Sequence, residues 1–516
     1  MRVDADVAVV GSGFAGSMVA LALRSRGQRV VLVERGRHPR FAIGESSTPL
    51  ANLLLEELAD RYDLPTIRVF SKWGTWQRSR PDVGGGLKRG FTFFFHQPGE
   101  HFADDRGHEH QLMVAASPHD EVGDTHWYRP DFDHNLVREA EAAGAIYLDD
   151  TTIDRVAFQH DGATLEGSRR GQAVHITASF VVDASGPRGF LARALDLEAP
   201  ALRWLPPTQG IYTHFTGVRR WDELMPESGT PYPSDDAALH HVFPGGWIWV
   251  LRFANGVTSA GAALTDPAAA RIAASEGGAA WDRLLGWLPS VGEQFLDARA
   301  VHPWIASPRL AFRTKRVCGP NWALLPSAAG VIDPLLSTGF PLTLLGIHRL
   351  LAILESGPSE ASLREYERVT LAELDATEML VAALYMSMSD VQLFKRLTLL
   401  YFAAASFSEA ARRLGRPGLA PGFLLHAHPA FGADLHTCCA IALARPQGRA
   451  RDELIKMIDL AIEPFDVAGL RDRSRRDWYP ALASDLLENA AKLDASQAEI
   501  QALLERCGLV PAIRPA

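Results

Sequence analysis

The chain has 516 residues, too many for one simple core, so two or three packed domains are expected. Hydrophobic residues make up 47%, charged residues 22%, and the net charge is −9, a globular composition. With no basic run beyond the short Arg471–Arg476 region, it argues against nucleic acid binding. The first element is an apolar strand, Val7-Ala8-Val9-Val10, running into Gly11-Ser12-Gly13-Phe14-Ala15-Gly16. Gly11 suits the tight turn, Gly13 lets a phosphate approach the backbone, and Gly16 lets helix and strand pack closely. A helix from Ser17 to about Arg26 would aim its first amides at a pyrophosphate. The next strand, Val30–Val33, delivers Glu34 at the roughly 20-residue spacing of a carboxylate that binds a ribose hydroxyl. Strand, glycines, helix, strand and acid together predict binding of an ADP-containing dinucleotide, with Gly11, Gly13, Phe14, Ala15, Gly16, Glu34 and Arg35 around it.

Residues 44–65 read as a loop entering a helix, Leu50 to Arg61. Between Gly74 and Gly123 the chain is rich in Gly, Pro and aromatics, as expected of a lid or pocket wall. Tyr128–Asp133 leads into a helix from about His134 to Ala143, followed by strands near Ala145 and Val156. Phe180–Gly186 is a buried strand ending in a turn. Residues 202–308 alternate apolar and polar positions and predict an antiparallel sheet. A strand at Trp322–Leu325 leads through Ala328-Ala329-Gly330 to a helix from about Gly339 to Glu355, and the remainder reads as helical. No apolar stretch approaches bilayer-crossing length, and no leader precedes the first strand. Cys318, Cys438, Cys439 and Cys507 lack ligand spacing and read as reduced thiols of a cytoplasmic protein. Asp104–His110 has metal-ligand residue types but no fixed spacing and reads as a solvated loop, so no metal is expected. His240-His241 reads as a structural pair with one member facing inward.

Arg129 before an amphipathic helix, the Asp183–Gly186 strand end and the strand–Gly–helix segment at 322–340 resemble, in that order, the FAD monooxygenases similar to p-hydroxybenzoate hydroxylase. This resemblance implies an α/β FAD-binding Rossmann-type domain (1–201 and 309–358, with residues 74–123 as its lid). It also implies an antiparallel sheet substrate subdomain (202–308) and a helical C-terminal domain (359–516). Arg129 and Ser327 would lie near the cofactor. Three further segments resemble the flavin-dependent halogenases: Gly44-Glu45-Ser46-Ser47-Thr48-Pro49, Asp333-Pro334-Leu335-Leu336-Ser337-Thr338-Gly339, and Leu87-Lys88-Arg89-Gly90 with the aromatic strand that follows. The phenol-type members, such as phloroglucinol halogenase, are most similar.

The resemblance implies that FAD, reduced by a separate NAD(P)H-dependent flavin reductase, works with O2 and chloride or bromide. Hypohalous acid would then pass by a lysine to a small aromatic substrate, free or carrier-tethered, in secondary metabolite biosynthesis. It places Ser46 and Gly339 near the flavin, the halide at Ser337, Thr338 and Gly339, and the reactive amine at Lys88. Lys72 is the rival lysine. The Ser-Thr pair also suits a simple helix cap. Gly246–Arg252 keeps the two tryptophans of the family's W-x-W-x-I-P but has Leu251 for Ile and Arg252 for Pro. A single-component FAD hydroxylase or dehydrogenase of the same fold is the alternative.

Overall fold

The computed structural model describes residues 1–103, 107–199 and 201–509. Two large sheets organise it. In chain order, β1 (Arg2–Val10), α1 (Phe14–Ser25), β2 (Val30–Val33) and α2 (Pro49–Tyr62) open the fold. Then come β3 (Gly85–Lys88), β4 (Gly90–Phe95), β5 (Gln111–Ala115), β6 (Asp124–Trp127) and a helix at Arg129–Ala142. β7 (Ile146–Leu148), β8 (Thr151–Gln159), β9 (Gly162–Arg169) and β10 (Gln172–Asp183) return the chain to the first sheet. Its parallel centre runs Trp322–Leu324, β10, β1, β2, β7. β1 and β2 end in near-continuous apolar runs because helices cover both faces of a parallel sheet. All four residues of β2 are buried.

The second sheet contains β11 (Thr208–Thr216), β12 (Ala238–Phe243), β13 (Gly246–Arg252) and β14 (Thr258–Thr265), in the order β11-β14-β13-β12-β4-β5. This corrects the reading of 74–123 as a lid. β4 sits inside the sheet, parallel to β12 and antiparallel to β5. Its six residues are all buried, because one face meets Phe394, Tyr401 and Phe402 and the other meets Trp221. The same two-sided burial corrects the His240-His241 reading. Both are enclosed. His240 bonds the Thr92 carbonyl oxygen at 3.1 Å, and His241 bonds His96 and Gln294. Burial holds both imidazoles near a pKa of 3, so they are neutral.

Two helices begin earlier than the periodicity predicts. The 129–142 helix starts at Arg129, since Pro130 sits in the first turn, where its missing N–H is harmless. α1 starts at Phe14, straight after the glycine turn. Among the described residues, Leu335–Ser356 reaches membrane-spanning length and apolarity, at 22 residues with mean hydropathy 1.3, contrary to the sequence reading. It packs inside the protein against α1, α2 and the helix Glu360–Ser387. The four cysteines are buried and free. Asp104, Asp105 and Arg106 lie outside the described residues. Among the described residues, no cluster of His, Cys, Asp or Glu is placed to hold a metal.

Candidate active site

The glycine turn is built as its spacing requires. Gly11 has φ +102°, and a Cβ there would lie 2.5 Å from the Ala184 carbonyl oxygen. A Cβ on Gly16 would lie 1.9 Å from Gly11 O, so β1 and α1 touch only because both positions are bare. A Cβ on Gly13 would project toward Arg129 Nη2, Asp133 and Arg40, at 3.4–3.8 Å. The α1 N-terminus has no side-chain cap and no acid in its first turn, which leaves its amides and the positive end of its dipole for an anion.

Glu34 accepts hydrogen bonds from Ser12 N (3.2 Å), Ser12 Oγ (3.1 Å) and Gly36 N (3.0 Å), and pairs with Arg40 at 3.3 Å. Burial pushes its pKa up, but the Arg40 charge and these donors outweigh it and hold the carboxyl below its usual range. Arg35, chosen from sequence, is exposed. Arg40, which the sequence reading missed, makes the contact. Arg129 forms a fork with Asp133 (2.7 Å twice), donates to the Ile43 and Gly44 carbonyls, and lies 5.0 Å from the Phe14 ring. It therefore locks the 43–44 turn against the glycine loop. Ser327 is half-buried in the first turn of Pro326–Ala329.

β6 gathers the rest. Its Trp127 stacks on Phe340 at 4.2 Å, and both rings meet Phe14 edge-on. The segment after Gly44 runs along β6: Trp127 N donates to Glu45 O, Ser46 bridges His126, and Ser47 N donates to Thr125 O. Glu45 is fully enclosed with His214, Oε1 to Nε2 at 2.8 Å. Ser46 Oγ is buried without a partner.

Lys88 stands opposite Asp124 in the β3–β6 ladder. Both side chains are buried; Lys88 has no solvent exposure. Lys88 Nζ donates to Ser47 O at 2.5 Å and lies 3.7 Å from the Phe91 ring centroid. Asp124 Oδ1 accepts from Asn52 Nδ2 at 2.7 Å, while Oδ2 is unpartnered. Burial lowers the Lys88 pKa to about 7, with Asp124 pulling it back up, and burial raises Asp124. Lys72 instead donates to the Cys507 carbonyl at 3.1 Å, away from these segments.

The 333–339 turn holds Leu336 and Ser337 at φ +64° and +54°, strained for side-chain-bearing residues. Four groups pin it. Asp333 Oδ1 accepts from Leu335 N (3.0 Å) and Oδ2 from Tyr385 OH (2.8 Å), Trp247 Nε1 donates to Tyr385 OH (3.2 Å), and Tyr401 OH donates to Leu336 O (2.9 Å). Thr338 occupies the cap position of the helix Gly339–Ser356, yet its side chain accepts nothing from that helix. The simple Ser/Thr cap is therefore not what this turn forms. Trp247, the first tryptophan of the altered motif, thus serves the turn through Tyr385. Arg252 pairs with Asp235 at 2.7 Å and donates to the Val218 and Arg219 carbonyls, so the Pro-to-Arg departure is absorbed by local pairing.

Residues 6–314 match the family of FAD dependent oxidoreductases. The monodechloroaminopyrrolnitrin halogenase PrnC of Pseudomonas fluorescens is 32% identical over 400 residues, spanning 75% of this chain and 69% of that protein. The tetracycline 7-halogenase of Kitasatospora aureofaciens is 30% identical over 420 residues, 78% and 73% of the two chains. The chain belongs to the flavin-dependent halogenases. The crystal structure of halogenase PltM in complex with phloroglucinol and FAD superposes on this halogenase with a TM-score of 0.81 and 26% identity, covering 92% of this chain and 99% of that one. The residues present fit FAD: bare glycines under an uncapped helix N-terminus, an ionised Glu34 and the orphaned Ser46 hydroxyl provide donors and acceptors for a dinucleotide.

Proposed function

We propose that this halogenase installs chlorine or bromine on an electron-rich, phenol-like ring, with Lys88 as the group that carries the electrophilic halogen. Gly11, Gly13, Phe14, Ala15, Gly16, Glu34, Ser46, Arg129, Ser327 and Gly339 would hold FAD. Once reduced, FAD supplies with O2 the oxidising equivalents that convert halide to hypohalous acid. The backbone amides at Ser337, Thr338 and Gly339 would hold the halide, since the following helix start has no acid or side-chain cap to compete. A separate NAD(P)H-dependent flavin reductase would provide the reduced flavin. A carrier-protein substrate has precedent in the 1H-pyrrole-2-carbonyl-[peptidyl-carrier protein] chlorinase of Pseudomonas fluorescens, 26% identical over 66% of this chain and 73% of that one. PrnC and the tetracycline 7-halogenase are named for small molecules, which supports an untethered ring as the substrate here.

The observation that carries the proposal is Lys88, an amine with no solvent exposure held on the Ser47 carbonyl beside a carboxylate. Desolvation lowers the cost of the neutral amine. The amine can take halogen from hypohalous acid with release of water, then pass it to the ring in exchange for the ring proton. As ammonium, the same group can hold hypohalous acid by a hydrogen bond. Lys88→Ala should retain FAD and its reoxidation by O2 while brominated product, followed by mass spectrometry with reductase, NADH and bromide, falls at least a hundredfold. Lys88→Arg should also fail, because guanidinium keeps its charge and changes the geometry. Full bromination by Lys88→Ala, with Lys72→Ala inactive, would move the role to Lys72.

A further inference from the structure

A cavity of about 190 Å³, room for several waters, is lined by Phe91, whose ring centroid lies 3.7 Å from Lys88 Nζ. Thr48 and Phe91 form its near wall. Thr48 follows Ser47, whose carbonyl holds Lys88. Its far wall comes from the helical C-terminal region and is mostly apolar, Phe402, Leu470 and Leu503 among it. Glu409 and Arg413 supply charge at one edge.

We propose that this cavity is the chamber for the ring, and that Glu409 selects a neutral aromatic bearing an O–H or aryl N–H donor while rejecting carboxylates. The proposal rests on the halogenase reading and deepens it. Arg413 Nε donates to Glu409 Oε1 at 2.7 Å, and Arg413 Nη1 pairs with Glu56 Oε2 at 3.2 Å. One guanidinium thus serves two carboxylates. Burial works against its charge, but Glu409 and Glu56 more than compensate and keep it protonated. Arg413 engages Glu409 through Oε1 alone, and Glu56 Oε1 is buried without a partner. Glu409 at the chamber edge and Glu56 beside Arg413 thus leave this side of the chamber with more negative than positive charge.

A ligand O–H or N–H meets a charged acceptor there, which is among the stronger hydrogen bonds available. A ligand carboxylate would be brought beside the Glu409 charge, and the cation at that edge, Arg413, is already shared between Glu409 and Glu56. The chemistry points the same way. The phenol or amine that Glu409 would bind is the group that activates a ring toward electrophilic halogen, and donating its hydrogen bond to a carboxylate increases the electron density it lends the ring. Glu409 and Arg413 also act electrostatically on Asp124, so the chamber edge and the Lys88 pair share one field.

Three probes with equally para-alkylated, oxygen-activated rings isolate recognition from reactivity: 4-ethylphenol, 4-ethylanisole, which lacks the donor, and 3-(4-hydroxyphenyl)propanoate, which adds a carboxylate. Titration calorimetry on the FAD-loaded enzyme should show 4-ethylphenol binding at least tenfold tighter than either of the others. In Glu409→Gln, which still gives Arg413 an oxygen partner, the penalty on the propanoate should shrink severalfold. Equal binding of all three, binding of none, or ratios unchanged in Glu409→Gln would overturn the proposal. Turnover is scored separately with reductase, NADH, O2 and bromide. Failure to brominate these rings and monochlorodimedone alike would count against halogenation itself, whereas bromination with equal binding would overturn the chamber's selectivity alone.

Discussion

Lys88 and Asp124 are one titrating unit, because each is buried and they oppose each other across two strands. His126, His240, Tyr401, Glu409 and Arg413 also face the pair. Burial keeps the two histidines neutral and Tyr401 protonated, which leaves Asp124 as the carboxylate acting directly on Lys88. Its negative charge raises the lysine pKa against the pull of desolvation. Asp124→Asn removes that support, so the Lys88 pKa falls further below 10.5. The consequence has one sign whichever form of Lys88 works. If the ammonium is needed, the alkaline limb of the bromination pH profile moves to lower pH; if the free amine is needed, the acid limb does. A limb that stays put or moves to higher pH in Asp124→Asn, with FAD binding intact, would remove Asp124 from the control of Lys88.

At the scale of elements, the 333–339 turn is held in shape by the helical extension. Tyr385, on the helix Glu360–Ser387, joins Trp247 of β13 to Asp333. Tyr385→Phe would leave Asp333 Oδ2 and Trp247 Nε1 buried without these bonds, a cost of about 1–3 kcal/mol. The strained Leu336–Ser337 backbone would be the part released. The expected result is a bromide KM raised severalfold with FAD affinity unchanged; an unaltered bromide KM would show that the turn holds its shape without Tyr385. These links also mark where sequence stops being informative. The glycine turn was legible because its strand, three glycines, helix and acid lie within one stretch of chain. β6 was not. Asp124-Thr125-His126-Trp127 has no alternation, and its partners, Lys88, Ser46 and Ser47, lie tens of residues away. Arg40 was missed for a related reason, since the loop fold, not the spacing, brings it to Glu34 while Arg35 turns to solvent.

For the whole molecule, the decisive feature is that one dinucleotide unit serves two sheets. The chain order of the fold, from the β1 turn to the helix at Gly339, was readable because apolar runs of the parallel sheet and the amphipathic helices each carry their own period. The placement of β4 and β5 in the second sheet was not, because two-sided burial leaves an aromatic run without the alternation that marks a sheet strand. Within the described residues, β1–α1–β2 is the unit where a strand passes through G-x-G-x-x-G into a helix. If that unit is committed to FAD, nicotinamide has no comparable cradle among the described residues, and a separate reductase is the expected source of hydride. Anaerobic mixing of FAD-loaded protein with NADH or NADPH should then bleach the flavin no faster than free FAD under the same conditions, and added reductase should restore both bleaching and bromination. Rapid bleaching by the protein alone would identify a single-component enzyme of the hydroxylase kind, in which the flavin itself meets the nicotinamide and no reductase partner is required.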